Sequence, residues 1–536
     1  MSAHTEEETV PNSTSAAAAT PHRIDVFHTK GFNNVLNRTR TEHTARIAEV
    51  LGHLQDFRRI EELMAAYWPA SQSAILPGAL IMSGLSSLGR MVAECSGFND
   101  GEHTLQLAKR IMDSTSYRVK VDASLTPMDF MGFFTGDNLR LEYLGLVFSI
   151  AARSYFIGMA KDPAWDGHFL KDVCQGDLHL DMYALGIYRE RFITIDTPFF
   201  LAECRRRTYA RAYRNDKFIS ALLDRPPRLL KRRSNVDFPL DLTDEELLAE
   251  PGELALARGR LTPDGWAQSG FINAATWARC RSITAEMTEE IFEYRWQPIT
   301  GELIAALKTL ADKNRKTWSS LPSHVQYTSQ SWQSGTDPQN CFMLMSVLLG
   351  FLHTEFQLFQ MIEKHDADAA QRLNLVSAEM VSLILELGSY RRKAVYLHAR
   401  FSDVLLYFGL APALLLSQTL TKSRSDSSTL PNGLRRSMLI KQLSSFVSTL
   451  ESISGPGEVN YDITSHAASL ITTALDEVLD SAEPDPSSGA PSSNAYSTAL
   501  DFDMAALSSG YPDIWEGFDL NEWQKQIDWN VGYDGF

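Results

Sequence analysis

Apolar residues along this chain recur every three to four positions, and strand-like alternation does not hold over any stretch of six. In residues 44–57, Ile47, Val50, Leu51, Leu54 and Phe57 share the spacing of one helical face, which predicts a helix. Residues 75–92 are predicted as one further helix, with Pro77 near its start, where a missing N–H costs little. The same periodicity predicts helices over 104–112, 141–159, 182–191, 283–296, 303–313, 342–364, 378–387, 394–421, 435–452 and 465–479. Gly and Pro gather at 225–265, 331–339 and 423–433, which read as loops between helical blocks. No repeat of fixed period is present, so a solenoid is not expected. The expected fold class is all-α: a large multi-helix body over residues 23–480.

Two stretches, 342–352 and 404–416, are apolar enough to suggest membrane spans, but both fall short of the ~20 apolar residues a span needs. Pro412 also interrupts the second. They are expected to be buried core helices, with no membrane partner.

Both ends change character. Residues 1–22 are rich in Ser, Thr, Ala and Glu and are expected to be a disordered tail. Residues 481–500 have the Ser, Pro and Gly content of a flexible linker. Beyond it, residues 501–536 combine eight acids and one lysine with aromatic side chains that include Trp515, Phe518, Trp523 and Trp529. Such a segment cannot fold alone, yet its rings can enter a hydrophobic groove on a partner while the acids keep them solvated.

At 536 residues the chain is long enough to bury a large core. Lys and Arg number 50 against 66 Asp and Glu, and the net charge of −16 argues against a surface built throughout for polyanions. The five cysteines form no CxxC or CxC pair, which removes a disulfide framework and a zinc cluster from consideration. The first residues carry acids where a secretory signal needs a basic and then an apolar stretch, so a reducing compartment is expected.

Motifs of catalysis are sparse. Neither GxxxxGK[ST] nor a GxGxxG after a strand occurs. Ser86 in SGLSSLG approaches a nucleophile elbow, but Leu88 stands where the second Gly is needed and the segment reads as helix. His353 and His398 lie singly in apolar helices and are expected to be core side chains; no metal site and no cofactor are expected. Asp241, Asp244, Glu245 and Glu246 could be taken for a magnesium-binding acid motif. Thr243 followed by Glu246 instead reads as a capping box, with Asp244 and Glu245 suited to a helix N-terminus.

The strongest local charge lies between Arg205 and Arg233, where eleven basic residues face only Asp216 and Asp224. Three readings stand open: a solvated helix face, an internal partner for the acidic remainder, and an import or polyanion patch centred on Arg228, Lys231, Arg232 and Arg233.

Read as a motif, RRRTYARAYRNDKFISALLDRPPRLLKRRSNVDFPLDLTD resembles the signature of the fungal-specific transcription factor domain, the middle homology region of zinc binuclear cluster regulators. Its matching positions include Arg206, Arg207, Tyr209, Tyr213, Asp216, Phe218, Arg225, Pro226, Pro227, Val236 and Pro239, with Asp224 where the family usually has Gly. The segment FFTGDNLRLEYLG is similar to the same domain through Phe133, Phe134, Gly136, Asn138, Arg140 and Glu142, with Leu141 replacing the usual Trp. Phe32, Asn37, Ala45, Tyr67 and Pro77 resemble its helical entry.

The resemblance implies an all-helical regulatory body in which Arg206, Arg207, Tyr213, Asp216, Arg225, Pro226 and Pro227 are structural. It also implies a nuclear regulator of RNA polymerase II genes, an activator in the first instance, of the kind that governs metabolic or secondary-metabolite gene clusters. Residues 501–536 would recruit coactivator or transcription machinery, the body would offer room for a small-molecule effector and a dimer, and Arg228, Lys231, Arg232 and Arg233 would serve nuclear import. The family's six-cysteine zinc module is missing from these residues, so DNA contact is expected only indirectly or through a zinc cluster encoded elsewhere. Two alternatives are a helical enzyme acting on a hydrophobic small molecule and a cytoplasmic helical interaction scaffold.

Overall fold

The computed structural model describes residues 30–70, 76–95, 101–156, 188–194, 196–222, 225–391, 401–425, 430, 433–456 and 460–480. The expectations for 1–22, 481–500 and 501–536, Trp515, Phe518, Trp523 and Trp529 among them, concern residues outside this set, as do those for His398 and for most of 182–191. The fold is all-α; among the described residues the one bridge of β type pairs Leu261 with Ala267.

The first apolar face forms α1 (Lys30–Gly52), a 3-10 turn and α2 (Phe57–Ala70), so the helix expected over 44–57 is broken at Gly52 and resumes at Phe57. The helix expected over 75–92 is likewise two, α3 (Gly78–Met82) and α4 (Leu85–Glu94). The break has a tertiary cause. The Ile81 carbonyl, the acceptor that Leu85 would use in a continuous helix, instead accepts the Tyr143 hydroxyl at 2.8 Å and the Gly84 amide at 3.3 Å. Gly84 lets that ring approach, since a Cβ there would lie 2.6 Å from Tyr143 and Thr135. Ser86 sits within α4, in line with its reading as helix.

Next come α5 (Gly101–Ser116), α6 (Pro127–Gly132) and α7 (Leu141–Phe156). Buried Arg140 closes the end of α5: its guanidinium donates to the carbonyls of Ser114, Thr115 and Tyr117 and pairs with Glu142 at 2.9 Å. A cation gathering the last carbonyls of a helix opposes the negative end of its dipole. Gly136 has φ +63, a left-handed turn that a glycine adopts at little cost.

A short α8 (Glu190–Thr194) precedes the long α9 (Phe199–Leu222). An irregular strap then runs to α10 (Asp244–Leu248), whose N-terminus is the capping box of Thr243 and Glu246. The remaining helices are α11 (Pro251–Gly259), α12 (Ala274–Tyr294), α13 (Gly301–Ser320), α14 (Pro338–Ile362), α15 (Ala367–Tyr390), α16 (Leu410–Ser425), α17 (Arg436–Glu451) and α18 (Tyr461–Asp480).

Packing follows a simple order. α1 lies on α5 and α2 on α7; α9 lies on α12, α12 on α14, and α14 on α13 and α15; α15, α16, α17 and α18 close the far end. One cluster of buried apolar side chains runs from Ile47 to Val478, and Phe130 of α6 meets Phe200 of α9 across 5.8 Å to join the two ends.

Two helices are longer than their apolar stretches suggested. Pro338–Ile362 and Phe401–Ser423 have the length and composition to cross a membrane, because turns on either side extend the runs at 342–352 and 404–416. In this fold 78% and 83% of their most apolar windows are buried among other helices. Gly84→Ala is expected to lower stability by about 1–3 kcal/mol, because the pinned Tyr143 ring cannot retreat; urea denaturation would read the loss.

Candidate functional site

The strap between α9 and α10 has almost no regular structure, so its backbone groups need partners from elsewhere. Charged side chains, buried or half-buried, supply them. Asp216, on α9, accepts from the amides of Arg228 at 3.0 Å and Leu229 at 2.8 Å. Glu289, on α12, accepts from the amide of Lys231 at 2.8 Å. Glu203 accepts from the amide of Leu240 at 3.0 Å, and Glu190 from that of Asp237 at 3.3 Å.

The α9 cations complete this clamp. The Lys217 ammonium, 1% exposed, donates to the Leu229 carbonyl and pairs with Asp216 at 3.0 Å and Glu289 at 3.2 Å. Arg206 bridges Glu190 and Glu203; Arg207 pairs with Asp244 at 2.6 Å and donates to the Leu242 carbonyl at 2.8 Å. Tyr213 donates to Glu289 at 2.8 Å and stacks on Tyr209, while Lys217 lies 4.1 Å over its ring. Burial, and then the charge of Glu289, push the Tyr213 phenol far above its ordinary pKa, so it stays a donor. A small second core of Ile193, Ala202, Tyr209, Tyr213, Leu229 and Val236 seals the network from one side.

The far end of the strap is held from α12. Buried Asp241 accepts from Thr276 at 2.6 Å, Ala267 at 3.0 Å and Asn273 at 3.1 Å, a fully bonded carboxylate with a structural task. Asp244 stands in the first turn of α10 and also receives Arg207, a pairing that its reading as a helix-start acid did not include. Arg279 donates to the Pro239 and Asp264 carbonyls and lies 4.6 Å over the Trp266 ring. Cys204 and Cys280 stand nearby, their thiols pushed up to about 12 by burial, which leaves them protonated at neutral pH.

Of the residues the sequence singled out, Arg206, Arg207, Tyr213 and Asp216 thus all serve to hold the strap, Tyr213 and Asp216 in the cluster around Lys217 and Glu289, and Arg206 and Arg207 through separate ion pairs. Arg225 and Pro226 are exposed, and Pro227 half-buried, just past the end of α9 at Leu222. Within the basic patch, Lys231 pairs with Glu286 at 2.6 Å and Arg232 reaches Glu293 at 3.7 Å, while the side chains of Arg228, Arg232 and Arg233 lie on the exposed face. Much of the basic stretch is therefore an internal partner for acids, and a smaller part is surface.

A second feature was not legible as a site. Before α16 the helix widens into a π turn, Leu405–Gly409. The widening falls where Pro412 has no N–H for the Phe408 carbonyl and its ring would crowd it, so Pro412 was the available signal. The turn turns Tyr407 and Phe408 toward buried His353 of α14, with ring centres 4.9 and 5.5 Å away, and Phe218 of α9 packs 4.9 Å from Tyr407. Burial, helped by the nearby Arg295 charge, lowers the His353 pKa from 6.5 to about 4, and burial raises that of Tyr407 to about 12.

Comparisons with family models, curated proteins and solved structures returned no match to this chain.

Asp216→Ala strands two strap amides and removes a partner from buried Lys217; it is expected to cost about 3–5 kcal/mol in a denaturant titration, whereas exposed Arg233→Ala should stay within about 0.5. A second expectation concerns acid. Between pH 6.5 and 4 the unfolded chain binds a proton at residue 353 that the folded chain refuses, so this contribution to stability is intact above 6.5 and lost as pH falls. Over that interval the wild type should lose up to about 3 kcal/mol more than His353→Phe, measured by denaturation at each pH.

Proposed function

We propose that the chain is a nuclear regulator of RNA polymerase II transcription, an activator whose helical body carries the acidic, aromatic segment 501–536 as its contact with coactivator or transcription machinery. One observation carries the reading. The positions that resemble the fungal regulator signature, Arg206, Arg207, Tyr213 and Asp216, act together as the clamp on a strap, which is scaffold and not chemistry. Such a body suits a protein that presents surfaces to partners. DNA is then reached through a partner, or through a zinc cluster outside these residues.

In this reading Arg228, Arg232 and Arg233 supply the import surface, with Lys231 shared between that surface and the clamp. Trp515, Phe518, Trp523 and Trp529 supply apolar anchors for the partner groove, and the acids around them supply solubility and steering. The target genes fit a metabolic or secondary-metabolite cluster by family likeness.

The full chain fused to a heterologous DNA-binding domain is expected to activate a reporter, and the triple variant W515A/F518A/W523A to return it to background. Activation that survives the triple variant would remove the tail from the mechanism. In the same cells R228A/R232A/R233A, which leaves Lys231 and every clamp carboxylate in place, should move a fluorescent fusion out of the nucleus.

A further inference from the structure

Four hydroxyl side chains of this chain directly follow a pair of basic residues: Thr208, Ser234, Thr317 and Ser437. Such a pair is a charge pattern by which protein kinases choose a serine or threonine. A kinase also needs its substrate as an exposed, extended segment, and the fold treats the four very differently.

Thr208 and Thr317 lie inside α9 and α13, where their hydroxyls donate to the carbonyls of Cys204 at 2.7 Å and Lys313 at 2.9 Å. The arginines before them are engaged by acids: Arg206 by Glu190 and Glu203, Arg207 by Asp244, and Arg315 by Asp312 and Glu355. Ser234 is half-buried in the strap, and its Oγ accepts from the Val236 amide at 3.3 Å. The chain before it is tied to α12, through the Lys231 amide on Glu289 and through Arg232, 3.7 Å from Glu293. Presenting any of these three means opening a long helix or the clamp.

Ser437 differs in each respect. It is exposed in the first turn of α17, and Arg435 and Arg436 before it are exposed as well. Among the described residues its hydroxyl has no hydrogen-bond partner, and the Arg435 side chain pairs with no acid. Arg436 reaches the Val478 carbonyl at 3.1 Å through one nitrogen, which leaves the rest of its guanidinium outward. The backbone of Arg435 is already extended, with φ −104 and ψ 133, after a left-handed turn at Gly433. Opening the segment is confined to the end of a helix, where the first amides have no partner within it. One turn further along the same face stands exposed Lys441, which also pairs with no acid among the described residues.

We propose that Ser437 is a phosphorylation site for a protein kinase that reads basic residues, and that the phosphate is held beside Lys441. In the transfer the Ser437 Oγ attacks the γ-phosphorus of ATP; the new O–P bond forms as the bond to the bridging β-phosphate oxygen breaks, ADP leaves, and the hydroxyl proton passes to the kinase's base. The product carries a dianion four residues before a lysine, a pairing that supports a helix and does not melt it. The inference concerns modification and stands apart from the transcriptional reading.

The test is incubation of the purified folded full chain with Mg·ATP and the catalytic domain of protein kinase C, with phosphate mapped and timed by mass spectrometry. Incorporation at Ser437 should be about tenfold or more faster than at Thr208, Ser234 or Thr317, and Arg435→Gln should slow it by about the same factor. Relative to Ser437→Ala treated in the same way, the phosphorylated chain should melt at a higher temperature, and Lys441→Gln should shrink that difference. No phosphate at Ser437, or comparable rates at all four positions, overturns the proposal. So does a rate that Arg435→Gln leaves unchanged, or a melting temperature that falls on phosphorylation at Ser437.

Discussion

One buried ammonium, that of Lys217, ties two helices and the strap of this molecule together. Removing Lys217 from water costs several kcal/mol unless its charge is matched and its donors are filled. Its acceptors come from three places: Asp216 on its own helix, Glu289 on α12 and the Leu229 carbonyl of the strap. Satisfying one lysine therefore sets the distance between two helices and the course of the chain after α9. The neighbouring carboxylates extend the same logic along the strap, since each buried acid that meets a cation also takes a backbone amide.

This arrangement explains how an acidic protein carries so basic a helix. The positive charges of α9 are drawn inward, where Glu190, Glu203, Asp244 and Glu289 balance them, and what remains at the surface is the short exposed edge of the strap. Lys217 also lines a cavity of about 80 Å³ between α9, α12 and α14, so the clamp and that cavity share a side chain. α9 thus faces the strap on one side and the aromatic cluster of Phe218, Tyr407 and His353 on the other.

The helices were readable because apolar periodicity is a local signal: the faces of α5, α13, α15, α17 and α18 lie where the spacing of their Leu, Ile and Val residues put them. Breaks were less legible. The division between α3 and α4 involves Tyr143, some sixty residues away, whose hydroxyl shares the Ile81 carbonyl with the Gly84 amide. The clamp was half legible: the arginines and Asp216 were marked by motif, but Glu203 and Glu289 carried no mark, because a carboxylate that will bind a distant backbone amide looks like any other acid on a helix. The π turn did leave a trace in Pro412, which was read as an interruption of a membrane span and not as the origin of a widened turn.

The strap has a further consequence for how the fold opens. A loop is ordinarily the first part of a protein to exchange its amide protons, because its hydrogen bonds are few and exposed. Here the amides of Leu229, Lys231 and Leu240 end on buried side chains of α9 and α12. They can be released only when those helices part, so the strap and the two helices form one cooperative unit, and a segment without regular structure inherits the slow exchange of the core.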